Sequence, residues 1–170
     1  MPDRLRDATF ATFDLSLNPA MRPAVAACMA VARGDAWCAA LLGDPGLGKS
    51  HLAAAALVGR PGRFWEWGAL LRNLRHLCFD EGGPQVPEGE ALKAWQEYRP
   101  LLVFDDVGAE KVTEWAAQTL YAVVNARYSA RLPTILTSNN PAAIDERCLS
   151  RLWEGAVACE GRDVRKLRPG

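Results

Sequence analysis

Short apolar runs alternate along this chain with longer stretches whose apolar positions recur every three or four residues. The runs at 37–42 (WCAALL), 63–67 (RFWEW), 101–105 (LLVFD), 133–139 (PTILTSN) and 155–160 (GAVACE) read as strands. LLVF and TILT show no in-out alternation, the mark of parallel strands covered on both faces. A helix is predicted to begin near Thr113, whose hydroxyl suits the N-cap, with Glu114 favourable in the first turn. Ala117, Leu120, Val124 and Tyr128 follow at helical spacing and predict its buried stripe. In 68–81, Leu70, Leu71, Leu74 and Leu77 mark the buried side of another helix, while 80–90 (DEGGPQVPEGE) reads as a surface loop. The strand–helix alternation predicts an α/β domain with a mainly parallel sheet. With no internal repeat and no shift in composition, residues 1–170 read as one domain, with 1–12 and 166–170 as loosely held ends.

Composition narrows the class without naming a partner. Twenty basic and twenty acidic residues cancel, so no global field draws the chain to nucleic acid or to a membrane, though a local basic patch is still allowed. The first residues, MPDRLRDATF, carry charge where a secretory signal needs an apolar core. No apolar run approaches the roughly 20 residues that span a bilayer. These features predict a soluble, cytoplasmic protein. The five cysteines (Cys28, Cys38, Cys78, Cys148, Cys159) are scattered, and only His51 and His76 accompany them, which predicts free buried thiols and no zinc site.

The chemistry is concentrated in GDPGLGKSH, residues 43–51. Gly43, Gly48, Lys49 and Ser50 complete a phosphate-loop pattern directly after a predicted strand. Glycines let the backbone turn tightly and aim N–H groups at phosphate oxygens, and the following helix adds the positive end of its dipole. Gly43, Asp44, Pro45, Gly46, Leu47, Gly48, Lys49, Ser50 and His51 are therefore the candidate nucleotide-binding residues. Lys49 suits the β- and γ-phosphates, and the Ser50 hydroxyl suits Mg²⁺.

Two further strand ends fit around that loop. Asp105 and Asp106 close the LLVFDD run. Asp105 is assigned to the metal and Asp106 to polarising the attacking water. Asn139, at the end of PTILTSN, either orients that water or touches the γ-phosphate. The alternative is that Thr137, Ser138, Asn139 and Asn140 simply form a turn before Pro141.

These three strand ends, in this order, resemble the AAA+ ATPases, and within them the DnaC/IstB-like branch of helicase loaders and transposition helper ATPases. GDPGLGKSHLA, LLVFDDVGAE, LYAVVNARY, LPTILTSN and DERCLSRL carry the resemblance, with ATFATFDLSLNP as its lead-in. It implies a three-layer P-loop NTPase core with a five-stranded, mainly parallel sheet, the phosphate-loop strand lying centrally and the helical lid reduced or absent. It makes Asn139 the sensor-1 residue and Arg165 the sensor-2 arginine. Arg151 becomes the arginine finger of a neighbouring subunit's ATP site, with Arg147 as a competing candidate. ATP and Mg²⁺ are the implied cofactors. The implied partners are single-stranded DNA, further copies of the chain in a homo-oligomer, and a replicative helicase or a transposase. Arg72, Arg75 and His76 on the 68–81 helix are the candidate DNA contacts. A weakly hydrolysing nucleotide-binding adaptor is the alternative, whereas the absence of an N-K-x-D stretch argues against a GTPase.

Overall fold

A computed structural model describes residues 1–109 and 113–164. Five strands form one parallel sheet: β1 (Cys38–Gly43), β2 (Gly62–Glu66), β3 (Leu101–Asp105), β4 (Thr134–Ser138) and β5 (Ala156–Cys159). Each lies within a residue of its predicted run. The order is β2-β3-β4-β1-β5. The phosphate-loop strand β1 is thus interior but not in the middle; β4 takes that place.

Successive residues of the inner strands serve opposite cores, as the two-residue period of a strand requires. Ala39, Leu41, Leu101, Val103 and Ile135 face a core closed by α1 (Arg22–Arg33) and α2 (Lys49–Ala55). Ala40, Leu102, Phe104 and Leu136 face a larger core closed by α3 (Trp67–Cys78), α4 (Glu88–Gln96), α5 (Glu114–Ser129) and α6 (Glu146–Leu152). The uninterrupted apolar character of β3 and β4 follows from this three-layer arrangement, because neither strand has a wet face. All five cysteines are free and buried, and burial pushes the thiols of Cys28, Cys38 and Cys148 up to about 12, leaving them inert.

Local patterns misplace three features. α5 is capped as predicted, Thr113 Oγ1 accepting from the Ala116 amide at 3.2 Å. Its buried face, however, is Ala116, Thr119, Leu120, Val123, Val124 and Arg127, while Ala117 and Tyr128 are only partly covered. The helix packs against both α4 and α6, so its covered surface is broader than one stripe. The predicted loop 80–90 gives way to α4 at Glu88. Its acids Glu88 and Glu90 occupy the first turn, where the helix dipole favours them. Residues 1–12 are not a loose end: Asp3–Leu5 forms a 3-10 turn, and Leu5 and Ala8 are buried against Ala54 of α2. Residues 166–170 lie outside the described residues. No helix among the described residues is long and apolar enough to cross a membrane.

Arg127 is the feature no hydrophobic pattern anticipates. Fully buried in α5, it donates to Thr134 Oγ1 (2.8 Å) and to the carbonyls of Trp95 (2.8 Å), Tyr98 (2.7 Å) and Pro133 (2.8 Å). One guanidinium thereby ties α4, the approach to β3 and the start of β4 to α5. Desolvation lowers its pKa to about 10, which still leaves it charged at neutral pH. Arg127→Ala is expected to cost about 3–5 kcal/mol, because it opens a cavity and strands several buried acceptors. A urea titration should show the midpoint fall with little change in slope, and Arg127→Lys should recover only part, since an ammonium cannot span the same acceptors.

Candidate functional site

The three predicted strand ends meet. In a parallel sheet the carboxyl ends lie on one edge, and this order sets β4 between β1 and β3. Pairing of Leu41 with Thr137 and of Phe104 with Leu136 brings the three ends level. Asn139 therefore stands between the phosphate loop and the two acids.

The loop after β1 turns through left-handed backbone at Gly46 (φ +86°) and Gly48 (φ +90°). At both, an added Cβ would force the side chain opposite to shift. A Cβ on Gly46 would lie 2.0 Å from the Asp163 carboxylate, and one on Gly48 would lie 2.6 Å from the Phe13 ring. The side chain of Leu47 is buried in the core, so only its backbone faces the loop. Lys49 begins α2 and is itself buried. Its Nζ donates to the carbonyls of Gly43 and Asp44, each at 2.6 Å, and to Asn139 Oδ1 at 2.7 Å. These acceptors match the three protons of an ammonium. Burial lowers the Lys49 pKa, and the neighbouring acids Asp106, Asp105 and Asp44 pull it back.

Asn139 uses both ends of its amide. Besides accepting from Lys49, it donates from Nδ2 to Asp106 Oδ1 at 2.6 Å, linking the loop to the second acid. Asp106 has φ +59°, a conformation that aspartate tolerates better than most residues. That left-handed step interrupts strand alternation, so Asp105 and Asp106 both line the same cleft. Thr137, which the sequence offered as part of a strand or of a turn with no role at the site, holds both acids. Its hydroxyl donates to Asp105 Oδ1 at 2.6 Å and accepts from the Asp106 amide at 3.0 Å. Ser138 Oγ donates to the Val107 carbonyl at 2.6 Å and fastens the same two strand ends.

Asp105 is buried, and desolvation raises its pKa. Hydrogen bonds from Thr137 and Ser50 oppose that rise, the Asp106 charge adds to it, and the Arg4 charge counters it. The Ser50 hydroxyl and the Asp105 carboxylate are thus direct neighbours, two hard oxygen donors of the kind Mg²⁺ takes. Among the described residues no cluster of three or more His, Cys, Asp or Glu side chains is arranged to hold a metal. The pair accordingly suits an ion that draws its remaining ligands from water and phosphate.

Arg4, Leu5, Pro45, Gly46, Gly48, Lys49, Ser50, His51, Asp105, Asp106, Asn139 and Val164 line this cleft, a cavity of about 350 Å³. A second cavity of about 190 Å³ adjoins it across Gly48 and His51, walled by Thr12, Phe13, Asp14, Leu17 and Val164. The His51 ring packs edge-on to Phe13, and its Nε2 lies 2.9 Å from the Thr9 carbonyl and 3.2 Å from Thr12 Oγ1. It ties the lead-in segment to α2. Periodicity gave no sign of Arg4, Thr12, Phe13 or Leu17 here, because they reach the site through an irregular segment.

The remaining candidates stand elsewhere. Arg151 and Arg147 lie on α6 and stack on the Tyr121 ring at 4.7 and 4.4 Å, away from the chain's own cleft. Arg147 also grips Asp145 with two nitrogens, at 3.0 and 2.9 Å. Arg151 is held by neutral acceptors: Asn125 Oδ1 (2.5 Å), Tyr121 Oη (2.8 Å) and the Arg147 carbonyl (3.0 Å). Arg72, Arg75 and His76 are exposed on α3; Arg75 stacks on Trp115 at 5.5 Å, and His76 Nδ1 lies 3.3 Å from Asp80. Arg165 lies outside the described residues.

Comparison with known proteins gives the family and the fold. A family model described as IstB-like ATP binding protein matches residues 6–149. The chain is 32% identical over 122 residues to a putative insertion sequence ATP-binding protein (y4iQ/y4nD/y4sD) of Sinorhizobium fredii, covering 66% of this chain and 39% of that protein. It is 29% identical over 132 residues to the phage-like element PBSX protein XkdC of Bacillus subtilis, covering 68% and 46% respectively. The chain therefore spans less than half the length of the curated relatives it matches. Among solved structures, the DnaC helicase loader superposes with a TM-score of 0.75 at 22% identity, covering 93% of this chain and 98% of that one. The replication initiator DnaA bound to AMPPCP and single-stranded DNA gives 0.73 at 22%, over 94% of this chain and 52% of that one. At these identities the likeness establishes a shared fold.

The buried acid yields a prediction. With its folded-state pKa above the unfolded value of about 3.9, Asp105 holds its proton more tightly in the folded chain than in the unfolded one. Its contribution is therefore most favourable below that value and is lost as pH rises through the folded pKa. At neutral pH, Asp105→Asn is expected to raise the melting temperature of the nucleotide-free protein, by roughly 2–4 °C per kcal/mol relieved. The gain should vanish in melts at acid pH. The same substitution should abolish any magnesium dependence of nucleotide affinity.

Proposed function

Because the chain belongs to the IstB-like ATP-binding proteins, we propose that it is a magnesium-dependent ATPase that assembles on DNA and loads or positions a DNA-processing partner. The observation that carries this reading is the chain of contacts from Lys49 through Asn139 to Asp106, which spans the space a terminal phosphate and an attacking water would share. Loop amides around Gly46 and the amino end of α2 receive the phosphates. Lys49 exchanges backbone carbonyls for phosphate oxygens. The apolar wall of Phe13, Leu17 and Val164 takes the base. Ser50 and Asp105 would hold Mg²⁺, which supplies charge neutralisation between the β- and γ-phosphates. Asp106, with one oxygen fixed by Asn139, turns the other toward the water and draws on its proton.

Arg151 completes the reading as the finger of a neighbouring copy. It lies off its own cleft and gives its hydrogen bonds to neutral acceptors, whereas Arg147 is already paired with Asp145. A fixed guanidinium of this kind suits the charge that develops on a transferred phosphoryl group. In this assembly Arg72, Arg75 and His76 face single-stranded DNA.

The partner has two readings. A replicative helicase is the loader reading. A transposase is favoured by the relative at 32% identity, whose name assigns it to an insertion sequence.

Lys49→Ala is expected to abolish nucleotide binding measured by calorimetry. Arg151→Ala should retain binding but lose turnover by about a thousandfold, the scale of an arginine finger. Wild-type turnover per subunit should climb with protein concentration and with added single-stranded DNA. A flat rate near zero would instead establish the nucleotide-binding adaptor, and full turnover in the Arg151 variant would remove the trans-acting finger.

A further inference from the structure

We propose that Arg4, in the segment before α1, is a γ-phosphate contact supplied by the same chain, and so sets the preference for ATP over ADP. The proposal rests on the reading of the cleft as a nucleotide site.

Position comes first. Leu5 is buried with Ala8 against Ala54 of α2, which anchors the 3-10 turn at Asp3–Leu5 over the helix that follows the phosphate loop. That anchor sets Arg4 on the wall of the cleft shared by Ser50, Lys49, Asp105, Asp106 and Asn139. The Arg4 charge is close enough to act on the Asp105 carboxylate. Arg4 does not line the adjoining cavity of Phe13 and Leu17, so it belongs to the phosphate side and not to the base side.

Availability comes second. Three cationic or ionisable donors line the cleft. Lys49 has its three protons on Gly43, Asp44 and Asn139, and His51 is engaged with Thr9 and Thr12. Arg4 is exposed and has no hydrogen-bond or ion-pair partner among the described residues. Its neighbour Arg6, by contrast, is paired with Asp3 at 2.8 Å. A guanidinium with five donors, held beside the metal-binding acids, suits phosphate oxygens, which it can meet in pairs. Arg4 acts on Asp105 at the end of the cleft where the terminal phosphate is placed, so the added oxygens of the γ-phosphate are the ones within its reach, beside those that Lys49 meets.

The test is equilibrium binding of fluorescent ATP and ADP analogues, with magnesium, to wild type, Arg4→Ala and Arg4→Lys. Arg4→Ala should weaken the ATP analogue about tenfold, the scale of one charge-assisted hydrogen bond, and leave ADP unchanged. Arg4→Lys should recover part of the loss, because the charge stays and the fork goes. Unchanged affinity for both nucleotides, or an equal loss for both, would overturn the proposal; an equal loss accompanied by a lowered melting temperature would mark Arg4 as structural. A wild type that binds neither nucleotide would instead defeat the nucleotide-site reading itself.

Discussion

One side-chain amide holds the cleft together. Asn139 accepts from Lys49 and donates to Asp106, so a cation from the start of α2, just past the loop after β1, and an anion from the end of β3 are fixed through the strand between them. The arrangement depends on strand order. Were β1 and β3 adjacent, the lysine and the acids would meet directly, and a salt bridge would fill the space. The intervening β4 holds them apart by one residue's reach and provides a neutral group that satisfies both. From the same strand end, Thr137 holds the two acids and Ser138 holds the backbone that follows them at Val107.

This order places charge where water is scarce, and the pKa directions record the strain. Burial lowers Lys49 and raises Asp105, each opposed by neighbours of opposite sign or by hydrogen bonds. Such groups contribute little to folding and can oppose it. Preorganised charge at a site that sheds stability is the usual mark of a functional cleft. Stability is supplied elsewhere, by two apolar layers, while Arg127, also buried at a desolvation cost, has its donors satisfied within a few residues of β3 and β4. The two buried cations thus do different work: Arg127 meets fixed acceptors in the scaffold, whereas Lys49 has partners that a phosphate can replace.

The segment before α1 connects these parts. Leu5 and Ala8 pack on α2, Thr9 and Thr12 bond His51, and Phe13 closes on Gly48. This segment therefore forms one wall of both cavities. On the opposite wall, the Val164 amide donates to the Gly46 carbonyl at 3.0 Å, so the chain after β5 also touches the loop. Nucleotide entering between these walls would meet residues drawn from both ends of the described chain.

The parallel sheet, the place of each strand, the glycine loop before α2 and the acids at the end of β3 were all legible along the chain. Each is a local signal: an apolar run with no wet face, a glycine pattern before a helix, charge at a strand end. The family was legible too, from GDPGLGKSHLA, LLVFDD and TSN taken in order. The rest follows from how strands and helices distant in the chain are brought together. Whether Asn139 belongs to a turn or to the cleft depends on β4 lying between β1 and β3, which no local pattern encodes. The roles of Thr137, Arg127 and Arg4 depend on what a neighbouring strand or helix brings opposite them. α4 was hidden because acids that favour a helix amino end resemble those of a loop. Periodicity reports which face of an element is dry; it carries no information about which partner covers that face.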